Sequence, residues 1–143
     1  MNSQDLDTLL KTLSETTNHA ERDRAALALV DLGNPSCLPT LLSAIESPLT
    51  EGHRSTLIYA CSEFDCSDLI VDFTRIWLRS TDPIDVELID VFAGMNNIQP
   101  EDARTVVNML RSALADVPLS AQKKAKTQEI INHLETATPA NTE

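Results

Sequence analysis

The sequence contains little of what several classes of protein require. Only 3 of its 143 residues are glycine and 3% are aromatic, so a fold built on many glycine-dependent turns is not expected. The longest uninterrupted apolar run, 25–30, is far shorter than the roughly 18–20 residues that span a bilayer. The first residues, 1–5, have neither the positive charge nor the apolar segment of a secretory signal. These absences predict a cytoplasmic protein.

Cysteine is also scarce. The sequence has three cysteines, which is an odd number: Cys37, Cys61 and Cys66. No two of them form a C-x-x-C pair. Without a secretory signal, this pattern indicates reduced thiols rather than a disulfide framework.

Basic residues are too few for binding to nucleic acids or anionic membranes. There are 11 Lys and Arg against 22 Asp and Glu, which gives a formal net charge of −11. Nucleic acids and anionic lipids are both bound through basic side chains. The charge instead favours a basic protein partner, whose approach it would accelerate.

The apolar residues, 42% of the chain, recur at helical spacing along nearly its whole length. This spacing predicts an all-α protein of about eight short helices, forming one domain over residues 1–136 with a flexible C-terminal tail over 137–143. Gly33 and Gly94 are expected to end helices. Helix starts are expected at Ser36, Thr50, Ser67, Asp82-Pro83, Pro100 and Ser120.

A repeat of 31 residues links the predicted helices. Asn34 maps onto Asp65 at this offset, and the following apolar positions also correspond: Leu38 with Leu69, Leu42 with Phe73 and Ile45 with Ile76. A fixed period of helix-turn-helix units is typical of an α-solenoid. We therefore expect about four antiparallel helix hairpins, although a plain helical bundle with short loops can produce a similar period.

The stretch 24–42 resembles a bacterial HEAT-like repeat. An Arg24-Ala25-Ala26 helix ends at Leu32-Gly33, a stiff Asn34-Pro35 turn follows, and a second helix opens with Leu38-Pro39. Small alanines let neighbouring helices approach closely. The resemblance implies paired helices that stack on their neighbours.

A second resemblance covers the middle of the chain. The segments 54–60 and 64–69 and the turn 80–83 look like those of small bacterial helical-repeat immunity proteins, which accompany polymorphic toxins including those of contact-dependent growth inhibition. Such proteins are cytosolic, and each binds the nuclease or other toxin domain of its own system. The resemblance implies a non-enzymatic antitoxin that covers a basic toxin domain, as a monomer in a 1:1 heterodimer.

The negative charge is concentrated where such a partner would dock. Residues 62–102 hold ten acidic and two basic side chains, a net charge of −8. The predicted contacts are these acids, with an aromatic residue as the anchor: Asp65, Asp68, Asp72, Asp82, Asp85 and Glu87, with Tyr59 or Trp77. Two alternatives stay open, because the acids could form a solvated face with local Asp–Arg pairs and Trp77 could be a core residue.

No pattern of residues predicts catalysis. The sequence has no zinc motif, no calcium loop, no glycine-rich phosphate loop and no nucleophile elbow, so no catalytic residue, metal or cofactor is expected. Two other functions are compatible with a HEAT-like chain. One is a scaffold for a different protein partner, and the other is a bilin lyase-like protein.

Overall fold

The computed structural model describes residues 3–80 and 84–137, which are helical and contain no strand. The prediction of an all-α protein is thereby confirmed. None of the helices in these residues is long and apolar enough to cross a membrane. The described residues form eight α-helices: α1 (Ser3–Glu15), α2 (His19–Leu32), α3 (Leu38–Glu46), α4 (Ser55–Ser62), α5 (Ile70–Arg79), α6 (Asp85–Ala93), α7 (Pro100–Asp116) and α8 (Ala121–Ala137).

Several helix ends lie where the sequence predicts them. Gly33 follows α2 in the left-handed conformation, with φ of 70°, and its N–H donates to the carbonyls of Leu29 and Val30. Glycine adopts this conformation without the steric cost that a Cβ would add. Pro100 is the first residue of α7, where it lacks only an N–H that the helix does not need. The Ser120 hydroxyl accepts from the N–H of Lys123 and so caps α8.

Three predicted helix starts were wrong because short 3-10 turns precede the α-helices. Ser36 lies inside such a turn, and its N–H donates to the side chain of Asn34, which is the real cap. Thr50 ends another turn, and α4 begins only at Ser55. Ser67 begins a third turn, and its buried hydroxyl accepts from the N–H of Asn97. The predicted start at Asp82-Pro83 lies outside the described residues.

The described chain forms two compact units. The first consists of residues 3–66 and 84–94 and contains α1, α2, α3, α4 and α6. The second consists of residues 67–80 and 95–137 and contains α5, α7 and α8.

Helices of the first unit pack as pairs whose members also stack. Helix α1 pairs with α2 and α3 pairs with α4, while α1 packs on α3, and α4 packs on both α2 and α6. Ala26, Leu29, Leu41, Ile58 and Leu88 are completely buried in this core. Burial of Ala26 fits the expectation that small side chains on α2 permit close helix packing.

Two arginines fasten the ends of the helix pairs in the same way. The Arg22 guanidinium, near the start of α2, donates from Nη2 to the Thr16 carbonyl just after α1, at 2.9 Å. The Arg54 guanidinium, which precedes α4, donates from Nη2 to the Ser47 carbonyl just after α3, also at 2.9 Å. Each contact satisfies a carbonyl at the end of one helix with a side chain of the next. The arginines lie 32 residues apart, close to the repeat found in the sequence.

Two histidine rings stack beside the first of these arginines. The rings of His19 and His53 are 3.6 Å apart between centroids and nearly parallel. An Nη1 of Arg22 lies 2.7 Å from Nδ1 of His19. The pKa of His19 is lowered by burial and by its electrostatic interactions with His53 and Arg22. The negative charge of Asp23 raises this pKa and so opposes the effect. The folded state therefore favours the neutral form of the His19 ring.

Trp77 is the centre of the second unit. Its side chain is only 1% exposed, and its Nε1 donates to the hydroxyl of Thr127 at 2.9 Å. The ammonium of Lys123 lies 3.8 Å from the ring centroid of Trp77 and donates to its backbone carbonyl at 2.7 Å. These contacts join α5 to α8, and α7 packs against both helices.

We expect the free energy of unfolding to fall as the pH drops below about 6.5, the ordinary pKa of histidine. The pKa of His19 is lower in the folded chain, so the unfolded chain binds more protons in this range and is favoured. Urea unfolding at pH 7.5 and 5.5 measures the effect. The free energy of unfolding should differ less between the two pH values in His19→Gln than in the original chain. An unchanged difference in this free energy would contradict the role given to His19.

Thr127→Val should lower the free energy of unfolding by about 1–3 kcal/mol, because it leaves the buried Nε1 of Trp77 without an acceptor. The matched control is Thr105→Val on α7, whose exposed hydroxyl donates only to the carbonyl of Glu101. That change should stay within about 0.5 kcal/mol. Equal losses in the two variants, measured by urea unfolding, would contradict the role given to Thr127.

Candidate partner-binding surface

The contact residues predicted from the sequence divide between the two units. Tyr59, Asp65, Asp85 and Glu87 belong to the first unit, whereas Asp68, Asp72 and Trp77 belong to the second. Asp82 lies outside the described residues.

In the first unit, two of the predicted contacts are well exposed. Tyr59 on α4 is 45% exposed, and Asp65 in the turn after α4 is exposed as well. Asp85 and Glu87 in the first turn of α6 are half-buried. Oε1 of Glu87 is buried and has no hydrogen-bond partner among the described residues. Glu87 is therefore less accessible to a partner than its position in the sequence indicates.

In the second unit, Asp68 is exposed, and Asp72 makes an ion pair with Arg75 at 3.0 Å. Asp72 thus forms one of the local Asp–Arg pairs that the sequence left open. Trp77 is buried and fastens α5 to α8, which withholds it from a partner. Tyr59 remains the aromatic residue available as an anchor.

The structure reveals an exposed apolar row that the sequence analysis missed. Leu27 on α2 is 43% exposed, Tyr59 on α4 is 45% exposed and Val86 on α6 is 70% exposed. Helix α4 packs against both α2 and α6, so the three side chains belong to neighbouring helices of the first unit. We call Leu27, Tyr59 and Val86 the apolar row.

An acidic residue follows each member of the apolar row at the same spacing. The acids are Asp31, Glu63 and Asp90, which lie four residues after Leu27, Tyr59 and Val86 respectively. Asp31 and Asp90 each share a helical face with the apolar residue before them, and Glu63 is the C-cap residue of α4. All three are exposed, and none of their carboxylates makes an ion pair or hydrogen bond with a described residue. We call these three residues the acidic row. Arg24 is also exposed on the stripe of α2.

The sequence contained a signal for this surface. Leu27 in α2 and Val86 in α6 are each followed by an acid of the same helix at i+4, and Tyr59 in α4 is followed at this spacing by Glu63, just after the helix. Leu27 was hidden inside the apolar run 25–30, where it could not be distinguished from its buried neighbours Ala26 and Leu29 without knowing the helix rotation. Val86 lies between Asp85 and Glu87, and the sequence alone does not show that its side chain is exposed.

The thiols are buried and contact one another instead of facing solvent. Cys37, Cys61 and Cys66 are free and at most 1% exposed. The Cys66 thiol donates to the carbonyl of Cys61 at 3.2 Å. The hydrogen bond with Cys66, together with burial, raises the pKa of the Cys61 thiol, and burial raises the pKa of Cys37. Such thiols stay protonated at neutral pH and are poor nucleophiles.

Within residues 3–80 and 84–137, no three His, Cys, Asp or Glu side chains gather closely enough to hold a metal ion. The arrangement of exposed residues instead suits binding. A surface that combines an exposed tyrosine, two aliphatic side chains and a row of carboxylates can bury apolar area and attract basic groups at once.

No family model, curated protein or solved structure matches the chain.

We expect the triple variant Leu27→Ser, Tyr59→Ser, Val86→Ser to remain folded, with each substitution lowering the free energy of unfolding by about 1 kcal/mol or less. These side chains are partly exposed and lie outside the buried core, although more than half of the surface of Leu27 and of Tyr59 is covered. Ile58→Ala, next to Tyr59 but fully buried, should cost about 2–5 kcal/mol. Urea unfolding compares the two, and an unfolded triple variant would show that the row is structural.

Proposed function

We propose that the chain is a non-enzymatic binding protein that captures a basic protein partner through the apolar and acidic rows of α2, α4 and α6. One observation carries the proposal. Three adjoining helices each expose an apolar side chain with a carboxylate four residues later, and none of these carboxylates is neutralised by a described residue. A surface of this kind suits a partner with complementary positive charge.

The partner that we propose is a toxin domain, most simply a basic nuclease, and the chain is its cytoplasmic immunity protein. The resemblance of residues 54–60 and 64–69 to helical-repeat immunity proteins supports this assignment. The carboxylates would occupy the place of the polyanionic substrate of the nuclease and cover its active site. Charge would accelerate association, and burial of Tyr59 would slow dissociation.

We further propose that the helix pairs are HEAT-like repeats of a solenoid. The pairing of α1 with α2 and of α3 with α4, and the stacking of α1 on α3 and of α2 on α4, support this arrangement. The arginine contacts at corresponding ends of the two pairs support it as well. In such a solenoid, corresponding positions of successive helices form a continuous binding surface.

Tyr59→Ala should weaken the complex with the proposed toxin domain by roughly 30-fold or more, because a central aromatic anchor contributes about 2 kcal/mol or more to binding. Titration calorimetry of the purified pair measures the affinity. Tyr59→Phe is the matched control, because it keeps the ring. If the pair forms no complex at all, the immunity function is wrong; if Tyr59→Ala binds normally, only the surface is wrong.

Charge reversal tests the electrostatic part of the proposal separately. A triple variant with Asp31→Lys, Glu63→Lys and Asp90→Lys should associate with the partner at least about tenfold more slowly. The reduction in the association rate should diminish as salt is added. The control reverses three exposed acids of other surfaces, Asp7, Glu15 and Asp116, and so changes the net charge equally. A third variant, Asp65→Lys with Asp68→Lys, tests the contacts that the sequence predicted. Equal rates in the first two variants would show that only the net charge matters.

A further inference from the structure

A small cavity in the first unit is lined by one buried cation and several hydroxyl-bearing side chains, together with the apolar Leu13, Ala44 and Leu49. Its volume is about 130 Å³, which leaves room for several water molecules. It lies among the end of α1, the start of α2, helix α3 and the turn that follows α3. The residues used below line it: Arg22, Thr40, Ser43, Ser47, Thr50 and Thr16.

Arg22 is a buried cation with no carboxylate partner among the described residues. It is 3% exposed, and its guanidinium contacts only the Thr16 carbonyl and the ring of His19. A guanidinium has five N–H donors, so these contacts leave several unused. Removing a charged group from water without an opposite charge is costly, and an anion in the cavity would offset that cost.

A second guanidinium lies directly behind the cavity wall. Arg54 donates from Nε to the Thr50 hydroxyl at 3.1 Å and from Nη2 to the Ser47 carbonyl. Like Arg22, it makes no ion pair with a described carboxylate.

Hydroxyl donors complete the wall. The hydroxyls of Thr40 and Ser43 make no hydrogen bond with a described residue, and the Ser47 hydroxyl only accepts, from the N–H of Leu49 at 3.1 Å. Their protons are therefore available to an acceptor in the cavity. Two carboxylates lie nearby and would weaken the attraction for an anion. Glu21 accepts from the Thr16 hydroxyl, and Asp23 is next to Arg22 in the chain and close enough to His19 to act on its pKa.

We propose that this cavity binds a single tetrahedral oxyanion of the phosphate class. Arg22 supplies charge-assisted hydrogen bonds, which suit phosphate oxygens, and Thr40, Ser43 and Ser47 supply hydroxyl donors. The site belongs to the first unit, does not include the apolar or acidic rows, and does not depend on the proposed toxin partner.

The test titrates the full-length chain with potassium phosphate against potassium chloride at matched ionic strength. Amide chemical shifts and urea unfolding report binding. When phosphate is about ten times above its dissociation constant, the unfolding equilibrium constant should fall by about tenfold relative to chloride. Amide shifts should saturate at Thr16, Thr40, Ser43 and Ser47. A parallel titration with phosphoserine distinguishes free phosphate from an esterified phosphoryl group as the natural ligand.

Substitutions of cavity residues test whether phosphate binds in the cavity. Arg22→Lys should weaken phosphate by about fivefold or more, because lysine keeps the charge but loses the planar set of donors. If that variant does not fold, two milder changes decide: Ser43→Ala should weaken binding, and Glu21→Gln should strengthen it. Arg104→Gln, an exposed change on α7, is the control and should leave the affinity unaltered. Shifts no larger than those in chloride, or an affinity that none of the cavity variants alters, would overturn the proposal.

Discussion

Short helices impose the constraint on which the first unit depends. Its five helices are 8–14 residues long, at or below the length at which an isolated helix is stable in water. Each must therefore bury one face against a neighbour, and the completely buried Leu29, Leu41, Ile58 and Leu88 are the result. Because α4 has neighbours on several sides, only a narrow stripe of it remains exposed. The position of Tyr59 on that stripe follows from the packing of the helices around it.

The loops between these helices are fixed by side chains as well as by backbone. Arg22 and Arg54 reach back to carbonyls at the end of the preceding helix, and Thr50 adds a hydrogen bond from its hydroxyl to the Ala44 carbonyl at 2.7 Å. Groups that would be left unsatisfied at helix ends are thus paired inside the protein. The same contacts concentrate positive charge at one end of the first unit. The same two arginines therefore hold the loops in place and supply positive charge at and behind the cavity.

Much of the fold could be predicted from the spacing of apolar residues. The eight helices, the end of α2 at Gly33 and the start of α7 at Pro100 depend on local signals, and the sequence contains those signals directly. The 3-10 turns before α3 and α5 were missed, because Ser36 and Ser67 have side chains typical of helix caps but lie inside 3-10 turns in the folded chain. The Ser67 hydroxyl also accepts from the N–H of Asn97, 30 residues away. No local pattern reveals such a contact.

The candidate site was harder to predict than the fold for a related reason. Counting charges identified the acidic region, but exposure decides which charges a partner can reach. Asp72 is partly neutralised by Arg75, and one oxygen of Glu87 is buried, whereas Asp31 lies outside the region of highest charge and is exposed. Trp77 and Tyr59 have similar chemistry, and only the rotation of their helices makes one a core residue and the other a surface residue. Helix rotation is set by the whole core and is not encoded near either residue.

The separation of the apolar row from the core has an evolutionary consequence. Leu27, Tyr59 and Val86 occupy the outer side of helices whose inner sides hold the first unit together. Substitutions at these three positions are therefore less constrained by the core than substitutions of the fully buried residues. A lineage carrying this fold can change the size and polarity of its outer side at few positions, while the buried residues stay the same.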